Sequence, residues 1–495
     1  MGNKFKYISI AAGPLLACII WFCFDLNPAN KATTYMAGLA VWMCVWWVTE
    51  AVSLAVTALL PIFFMPLLRI APLEAVAPQY TDSIIFLFLG GFMLAFAIEK
   101  WGLHRRIAIK ILSVVGTKPN RILMGVMLST YLISNWISNT ATTIMLLSAV
   151  LSLIDVVELK IVEQKDRNKF AAALLLGLAF SATIGGMATP VGTPPNMYFF
   201  NAYHKAYPEM HDLNFLTWAK IGYPISFLFL CLTYFVLSRY YLRKVEINFE
   251  KNYFKQELKG LGKFSFEEIV ISIIFICCMV LWFTREEVKV DNFHFKGWGS
   301  LFGKMKVDER DTNMVKTVGD ATVAIMAALL LFLIPSKNKK GEAILEWDDA
   351  KKIRYDIILM FGSGFALAYG FEQAGLSNWL AHSLEALKGT HVLVLTFSIC
   401  VVVCLISEFA SNIASIVLVM PIMIALQHKL NIPPLLLMIP ATFAASLGFI
   451  LPVATAANTI VFGTKRIFTR DMFFIGLILD IGGILLITVL TYLLL

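Results

Sequence analysis

Apolar positions in this chain come in long blocks, and polar positions are confined to the short intervals between them and to a few places inside the longest blocks. Blocks lie near 8–25, 33–50, 51–68, 83–100, 216–240, 264–284, 316–335 and 472–495. A helix needs about 20 apolar residues to cross a hydrocarbon core of about 30 Å, so each block predicts a transmembrane helix. The first block lacks a convincing small-residue cleavage site and is followed by many others, which reads as a retained helix rather than a signal peptide. Two longer apolar regions, about 121–155 and 392–428, carry polar residues in mid-run, and two more, about 170–200 and 434–463, are interrupted near proline.

The interruptions recur. LISNWISNTAT (Leu132 to Thr142) returns as LISEFASNIAS (Leu405 to Ser415) at an offset of 273. At the same offset IIFLFLGGFMLAFAIEKWGL (Ile84 to Leu103) matches IILMFGSGFALAYGFEQAGL (Ile357 to Leu376), with ten identities in twenty positions. PVGTPPN (Pro190 to Asn196) returns as PVATAAN (Pro452 to Asn458) at an offset of 262. The chain is a duplicated unit. Reading the two Ser-Asn regions as re-entrant hairpins predicts an all-α polytopic membrane protein with about 11 transmembrane helices. An odd number of crossings then separates equivalent points, so the two repeats have inverted topology, a recurrent plan of secondary transporters. The expected organisation is an N-terminal helix outside the repeat (1–30), repeat one (31–243), a cytoplasmic connector (244–263) and inverted repeat two (264–495). In each repeat an amphipathic stretch follows, GLHRRIAIKIL (Gly102 to Leu112) and GLSNWLAHSLEAL (Gly375 to Leu387), which suits a helix lying along the interface.

Composition supports a membrane reading: 59% of residues are hydrophobic and 15% charged, against about 25% charged in soluble domains. The formal net charge of +8 does not indicate nucleic acid, because 27 of the 41 Lys and Arg fall in the intervals this topology assigns to the cytoplasm. Those intervals begin with Lys4 and Lys6 and include 105–121, 160–169, 239–263, 337–354 and 465–470. Arg285 to Lys316 reads as an external loop whose basic residues are nearly cancelled by Glu286, Glu287, Asp291, Asp308, Glu309 and Asp311. The topology puts the N-terminus in the cytoplasm and the C-terminus outside; compactness suggests a bacterial inner membrane. All eight cysteines stand in apolar stretches with no CxxC pair, and read as small core residues.

No Walker-type loop, HExxH or GxGxxG opening a helix is present, and no paired acids or nucleophile and base mark an enzyme. The chemistry lies in the breaks. Three adjacent polar residues in hydrocarbon, Ser138, Asn139 and Thr140, need partners, since each unsatisfied group costs several kcal/mol. Half-helices meeting at a non-helical turn present free N–H groups to an anion, while free carbonyls at opposing ends suit sodium. Pro194 and Pro195 force such a break; in the second copy Ala456 and Ala457 stand there, and the break rests on Pro452. Glu50, Glu99 and Glu372 read as interfacial or packing carboxylates. Glu408, beside Ser407, reads equally well as a structural carboxylate or as one that tunes a cation site or binds a proton.

Ser134 with SNT four positions on, GTPPN, WWVTEAVSLAVTALLP (Trp46 to Pro61), SE-FA-SN and PVAT together resemble the divalent anion:sodium symporter (DASS) family over nearly the whole chain. The resemblance implies a homodimeric elevator-type transporter with a scaffold and a moving domain, carrying dicarboxylates, citrate or sulfate, usually with sodium. It implies one sodium site at Ser134, Ser138, Asn139 and Gly192, and a second at Ser407, Ala410, Asn412 and Ala454, the alanines through their carbonyls. The substrate would meet Ser138, Asn139, Thr140 and Thr193 on one side and Ser411, Asn412 and Thr455 on the other. Two departures stand in the second half: Ile413 replaces the threonine of a second SNT, and Ala456 and Ala457 replace the prolines. The function these features imply is sodium-coupled uptake of a small divalent anion, a C4-dicarboxylate or related carboxylate. The alternatives are a sodium-independent dicarboxylate exchanger and a sodium:sulfate symporter.

Overall fold

The computed structural model describes residues 3–158, 161, 163–208, 210, 213–243, 245, 253–285, 288–290, 293–306, 314–316, 318–353, 355–383 and 389–495. The six acidic residues expected to neutralise the external loop lie outside the described residues, as does most of the connector before Tyr253.

Helices α1 (Asn3–Cys23) and α2 (Lys31–Thr49) open the chain, α2 starting where the Asn30 side chain accepts from the Ala32 N–H. The block at 51–68 is two short helices, α3 (Leu54–Thr57) and α4 (Leu60–Leu67). Pro61 has no N–H to return to Thr57, so the helix cannot run through. Helices α5 (Leu73–Val76), α6 (Ser83–Lys100) and α7 (Leu103–Val115) follow. The first Ser-Asn region is α8 (Pro119–Ser134) and α9 (Asn139–Glu158), and the next broken block is α10 (Gln164–Gly186) and α11 (Pro194–Ala206). Helix α12 (Phe215–Tyr241), the short α13 (Tyr253–Gly260) and α14 (Phe266–Thr284) lead to two small antiparallel ribbons. These pair β1 (Val288–Val290) with β2 (Phe293–Phe295) and β3 (Lys304–Lys306) with β4 (Met314–Lys316), and all other regular structure among the described residues is helical.

The second half runs α15 (Asp320–Leu333), α16 (Trp347–Ala350), α17 (Tyr355–Gln373) and α18 (Leu376–Ser383). It continues through α19 (Val392–Phe409), α20 (Asn412–Leu430), α21 (Leu435–Ala444), α22 (Ala456–Phe462) and α23 (Thr469–Leu494). Among the described residues nine helices are long and apolar enough to cross a membrane, and four apolar stretches are shorter. The two halves share local geometry. Gly102 and Gly375, which turn α6 into α7 and α17 into α18, both stand at φ +70°, a conformation that favours glycine.

Helices α8 and α9 fold back on each other. Val126, Ser129 and Thr130, short of the break, line the same cavity against α7 as Met145 to Leu153 beyond it. A helix merely kinked at the break would carry those two sets apart. Helix α10 is the centre of the molecule: residues 170–186 are buried on every side, whereas α1 and α23 expose Ile8, Phe22, Ile478 and Leu485 as lipid-facing helices do. Phe180 of α10 meets Phe449 of the second half edge to face at 5.0 Å, and Phe229 of α12 meets the same ring at 5.6 Å. Such aromatic contacts contribute beyond their buried area and fix the halves against each other.

Candidate functional site

Four helix N-termini open into one cavity of about 360 Å³. Helix α9 contributes Ser138, Asn139 and Thr140; α11 contributes Thr193, Pro194 and Pro195; α20 contributes Ser411, Asn412 and Ile413; α22 contributes Ala454, Thr455, Ala456 and Ala457. Leu54, Phe92, Ala95, Phe96, Ile144, Met145 and Ile357 supply an apolar wall. All seven residues expected to hold the substrate therefore line one space, although nearly 320 positions separate Ser138 from Thr455.

The local chemistry explains why helices start here. Ser411 Oγ accepts from the Ala414 N–H at 3.2 Å, Thr455 Oγ1 from the Asn458 N–H at 3.1 Å, and Ser138 Oγ from the Ala141 N–H at 3.4 Å. A hydroxyl that accepts a cap bond keeps its own hydrogen, which is left to donate into the cavity. Thr193 precedes α11 without a side-chain cap bond. At α9, α20 and α22 the first-turn N–H groups and the helix dipole favour negative charge, whereas α11, which begins with Pro194 and Pro195, offers the dipole. The departures in the second half have opposite effects. Ile413 removes a hydroxyl, but Ala456 and Ala457 carry N–H groups where Pro194 and Pro195 have none, so backbone donors are gained at the same end.

Behind each hairpin tip lies a cluster of oxygens. Ser134 Oγ is 2.6 Å from the Ala182 carbonyl and 3.0 Å from Asn139 Oδ1. Ser407 Oγ is 2.7 Å from the Ala445 carbonyl and 3.1 Å from Asn412 Oδ1. A serine hydroxyl has one hydrogen, so with the shorter bond made the Ser and Asn oxygens face each other lone pair to lone pair. Gly192 adjoins the first cluster: a Cβ there would stand 2.6 Å from the Gly186 carbonyl and 2.9 Å from that of Asn135. In the second half Ala454 takes that place, and Ala410, the residue closing α19, leaves the helix in an extended conformation. Facing oxygens without spare hydrogens are a donor set that fits a hard cation such as sodium.

Sequence reasoning gives no role to Asn196, Asn458 or Lys352, leaves Glu408 with two, and reads Glu99 as an interfacial or packing carboxylate. Asn196 and Asn458 end the two proline motifs, and their amides tie the breaks together. Asn196 Nδ2 donates to the Gly186 and Thr189 carbonyls at 3.0 and 2.8 Å; Asn458 Nδ2 donates to those of Gly448 and Leu451 at 2.8 and 3.2 Å. Glu408 holds the second break, its carboxyl accepting from the Ile450 and Leu451 N–H groups at 3.0 Å each. Finally, Glu99 and Lys352 line the cavity. Lys352 is a basic side chain in a lining for which the sequence predicts only hydroxyls, amides and dipoles.

A helical bundle whose recurring motifs form broken helices around one cavity has the plan of a secondary transporter. The chain belongs to the family described as the sodium:sulfate symporter transmembrane region, which its sequence matches over residues 5–494, in agreement with the resemblance to divalent anion:sodium symporters. It is 35% identical to the sodium-dependent dicarboxylate transporter SdcS of Staphylococcus saprophyticus over 497 residues, covering 99% of this chain and 91% of that protein. It is 34% identical to the protein of the same name from Staphylococcus aureus, over 98% of this chain and 91% of that one. In fold it is similar to the YdaH transporter of Alcanivorax borkumensis, with a TM-score of 0.54 and 14% identity over 92% of this chain and 98% of that one.

Proposed function

We propose that this protein imports a C4-dicarboxylate or a related small carboxylate together with sodium ions, two or more per cycle. The observation that carries the reading is the convergence of four helix N-termini, three of them capped by a side-chain hydroxyl, on one cavity, with a sodium-fitting oxygen cluster behind each hairpin tip. One carboxylate is held by Ser138, Asn139, Thr140 and Thr193, and the other by Ser411, Asn412 and Thr455. Sodium binds at Ser134, Ser138, Asn139 and Gly192, and at Ser407, Ala410, Asn412 and Ala454. Asn139 and Asn412 belong to both sets, which gives the coupling a physical route: a cation taking their Oδ1 atoms fixes the tips whose amides and hydroxyls meet the anion. The names of the staphylococcal relatives support a dicarboxylate substrate.

The proposed architecture is two inverted repeats, 31–243 and 264–495, with about eleven crossings and the two hairpins entering from opposite faces. The protein acts as a homodimer in a bacterial inner membrane, with the N-terminus in the cytoplasm, and moves the cavity by an elevator displacement. Sulfate is the second substrate reading, favoured by the family description and by the hydroxyl missing at Ile413.

Uptake of labelled succinate into proteoliposomes under an inward sodium gradient tests the assignment. Accumulation that disappears in choline is expected, and succinate rather than sulfate should compete at the lower concentration. Equal uptake in choline would refute the sodium coupling, and uptake that then requires preloaded dicarboxylate would establish the exchanger instead.

A further inference from the structure

Two charged side chains share the cavity lining, and neither stands on a hairpin tip: Glu99 on the last turn of α6 and Lys352 just after α16. They are mounted on one frame. Lys100, next to Glu99, reaches Asp349 at 2.7 Å and Glu342 at 3.7 Å, and Trp101 Nε1 donates to the Ile344 carbonyl at 2.8 Å. These bonds fasten the end of α6 to the 342–352 segment. Asp349 gives its short contact to Lys100, leaving Lys352 at 3.6 Å with its side chain 69% exposed. Among the described residues Glu99 pairs with no cation. An exposed ammonium held only loosely by its own carboxylate is free to meet an incoming anion.

We propose that Lys352 is the anion-receiving residue at the mouth of the transport cavity, with Glu99 opposing it across the same opening. This rests on reading the cavity as an anion site, and it concerns one face only. The bound dianion is held by the tips of α9, α11, α20 and α22, whereas Lys352 and Glu99 belong to the frame beside them and meet the ion as it enters or leaves. A charge at a rim acts on encounter rate and on apparent affinity from its own side, and its effect is screened by salt. The basic-loop census places 337–354 in the cytoplasm, so the affected face is the cytoplasmic one.

The test separates this proposal from the transport assignment. Ile357 lines the cavity a few positions beyond Lys352, and Leu54 lines it from α3. Ile357→Cys and, as a second reporter, Leu54→Cys are labelled in the full-length reconstituted protein with an anionic and a cationic methanethiosulfonate, and modification is read at each position by mass spectrometry. Adding Lys352→Gln should lower the anionic-to-cationic rate ratio roughly three- to tenfold at low salt, Lys352→Arg should preserve it, and Glu99→Gln should raise it, all three differences shrinking in 1 M salt. Half-saturation for succinate, measured from each face of oriented vesicles, should rise by a similar factor in Lys352→Gln on the cytoplasmic face alone. An unchanged labelling ratio at both reporters overturns the proposal even if sodium-driven uptake is normal. An equal rise on both faces also overturns it, because it would place Lys352 in the binding site itself. Wild-type protein that accumulates neither succinate nor sulfate would instead defeat the transport assignment, and labelling would still decide the role of Lys352.

Discussion

Thr193 and Ile413 show how much rests on single hydroxyls. Thr193 makes no cap bond, so its hydroxyl is available to a carboxylate, and a hydrogen bond to a charged group contributes about 1.5–3 kcal/mol. Thr193→Val, which keeps the shape, should therefore raise the half-saturating succinate concentration roughly tenfold or more, each 1.4 kcal/mol being a factor of ten. Ile413→Thr restores the threonine of the first hairpin and should lower it; no change in either variant would show that these positions do not face the substrate. Gly192 is limited by space rather than by hydrogen bonding. A methyl there would press on the Gly186 and Asn135 carbonyls at 2.6 and 2.9 Å, so Gly192→Ala should weaken sodium dependence, read as a rise in the sodium concentration giving half-maximal uptake.

At the level of elements, the breaks are built rather than merely permitted. The first follows from Pro194 and Pro195, which cannot continue a helix, and was legible from those residues alone. The second has no such pair. Helix α21 stops at Ala444 and α22 begins at Ala456, and the intervening N–H groups of Ile450 and Leu451 are taken by Glu408. Sequence reasoning left Glu408 with two open roles because its partners lie more than 40 positions away, in backbone that no motif marks. Glu408→Ala should lower the melting temperature of the purified protein well below that of Glu408→Gln, which can still accept one of the two bonds. Equal melting in both would remove Glu408 from the support of the break.

The staple that carries Lys352 and Glu99 has its own signature. Burial pushes the Asp349 carboxyl up, but the Lys100 hydrogen bond, the Glu346 N–H and the charges of Lys100 and Lys352 outweigh it and hold the carboxyl below its ordinary value. A carboxylate whose affinity for protons is depressed by folding adds stability above its unfolded value and loses it as pH falls through the folded one. Melting of the wild-type protein should thus drop below about pH 4, and in Lys100→Gln that acid-sensitive component should be smaller. The same slope in both proteins would show that the pair adds nothing to stability.

For the whole molecule, the recurring motifs, the breaks inside the apolar blocks and the seven hydroxyl and amide residues of the breaks that line the cavity were readable in the chain. The reason is physical: polar residues inside hydrocarbon-length blocks have few permitted roles, and here they recur at fixed offsets. What could not be read was how the halves meet. Phe180 against Phe449, the seating of α22 beside α9, and the placing of Lys352 in the cavity lining depend on packing between segments hundreds of residues apart. Lys352 stood in a basic loop that served only the topology count, and nothing in its neighbours pointed towards the cavity.

The central claim is that sodium, by occupying the oxygens behind Asn139 and Asn412, prepares the four helix ends to hold a dianion. Equilibrium binding of labelled succinate to the purified protein, titrated with sodium at constant ionic strength, addresses it without the complications of transport. Saturable binding that strengthens steeply with sodium, and is lost in both Asn139→Ala and Asn412→Ala, is the predicted result. Binding of the same strength in choline, or retained in both variants, would contradict it.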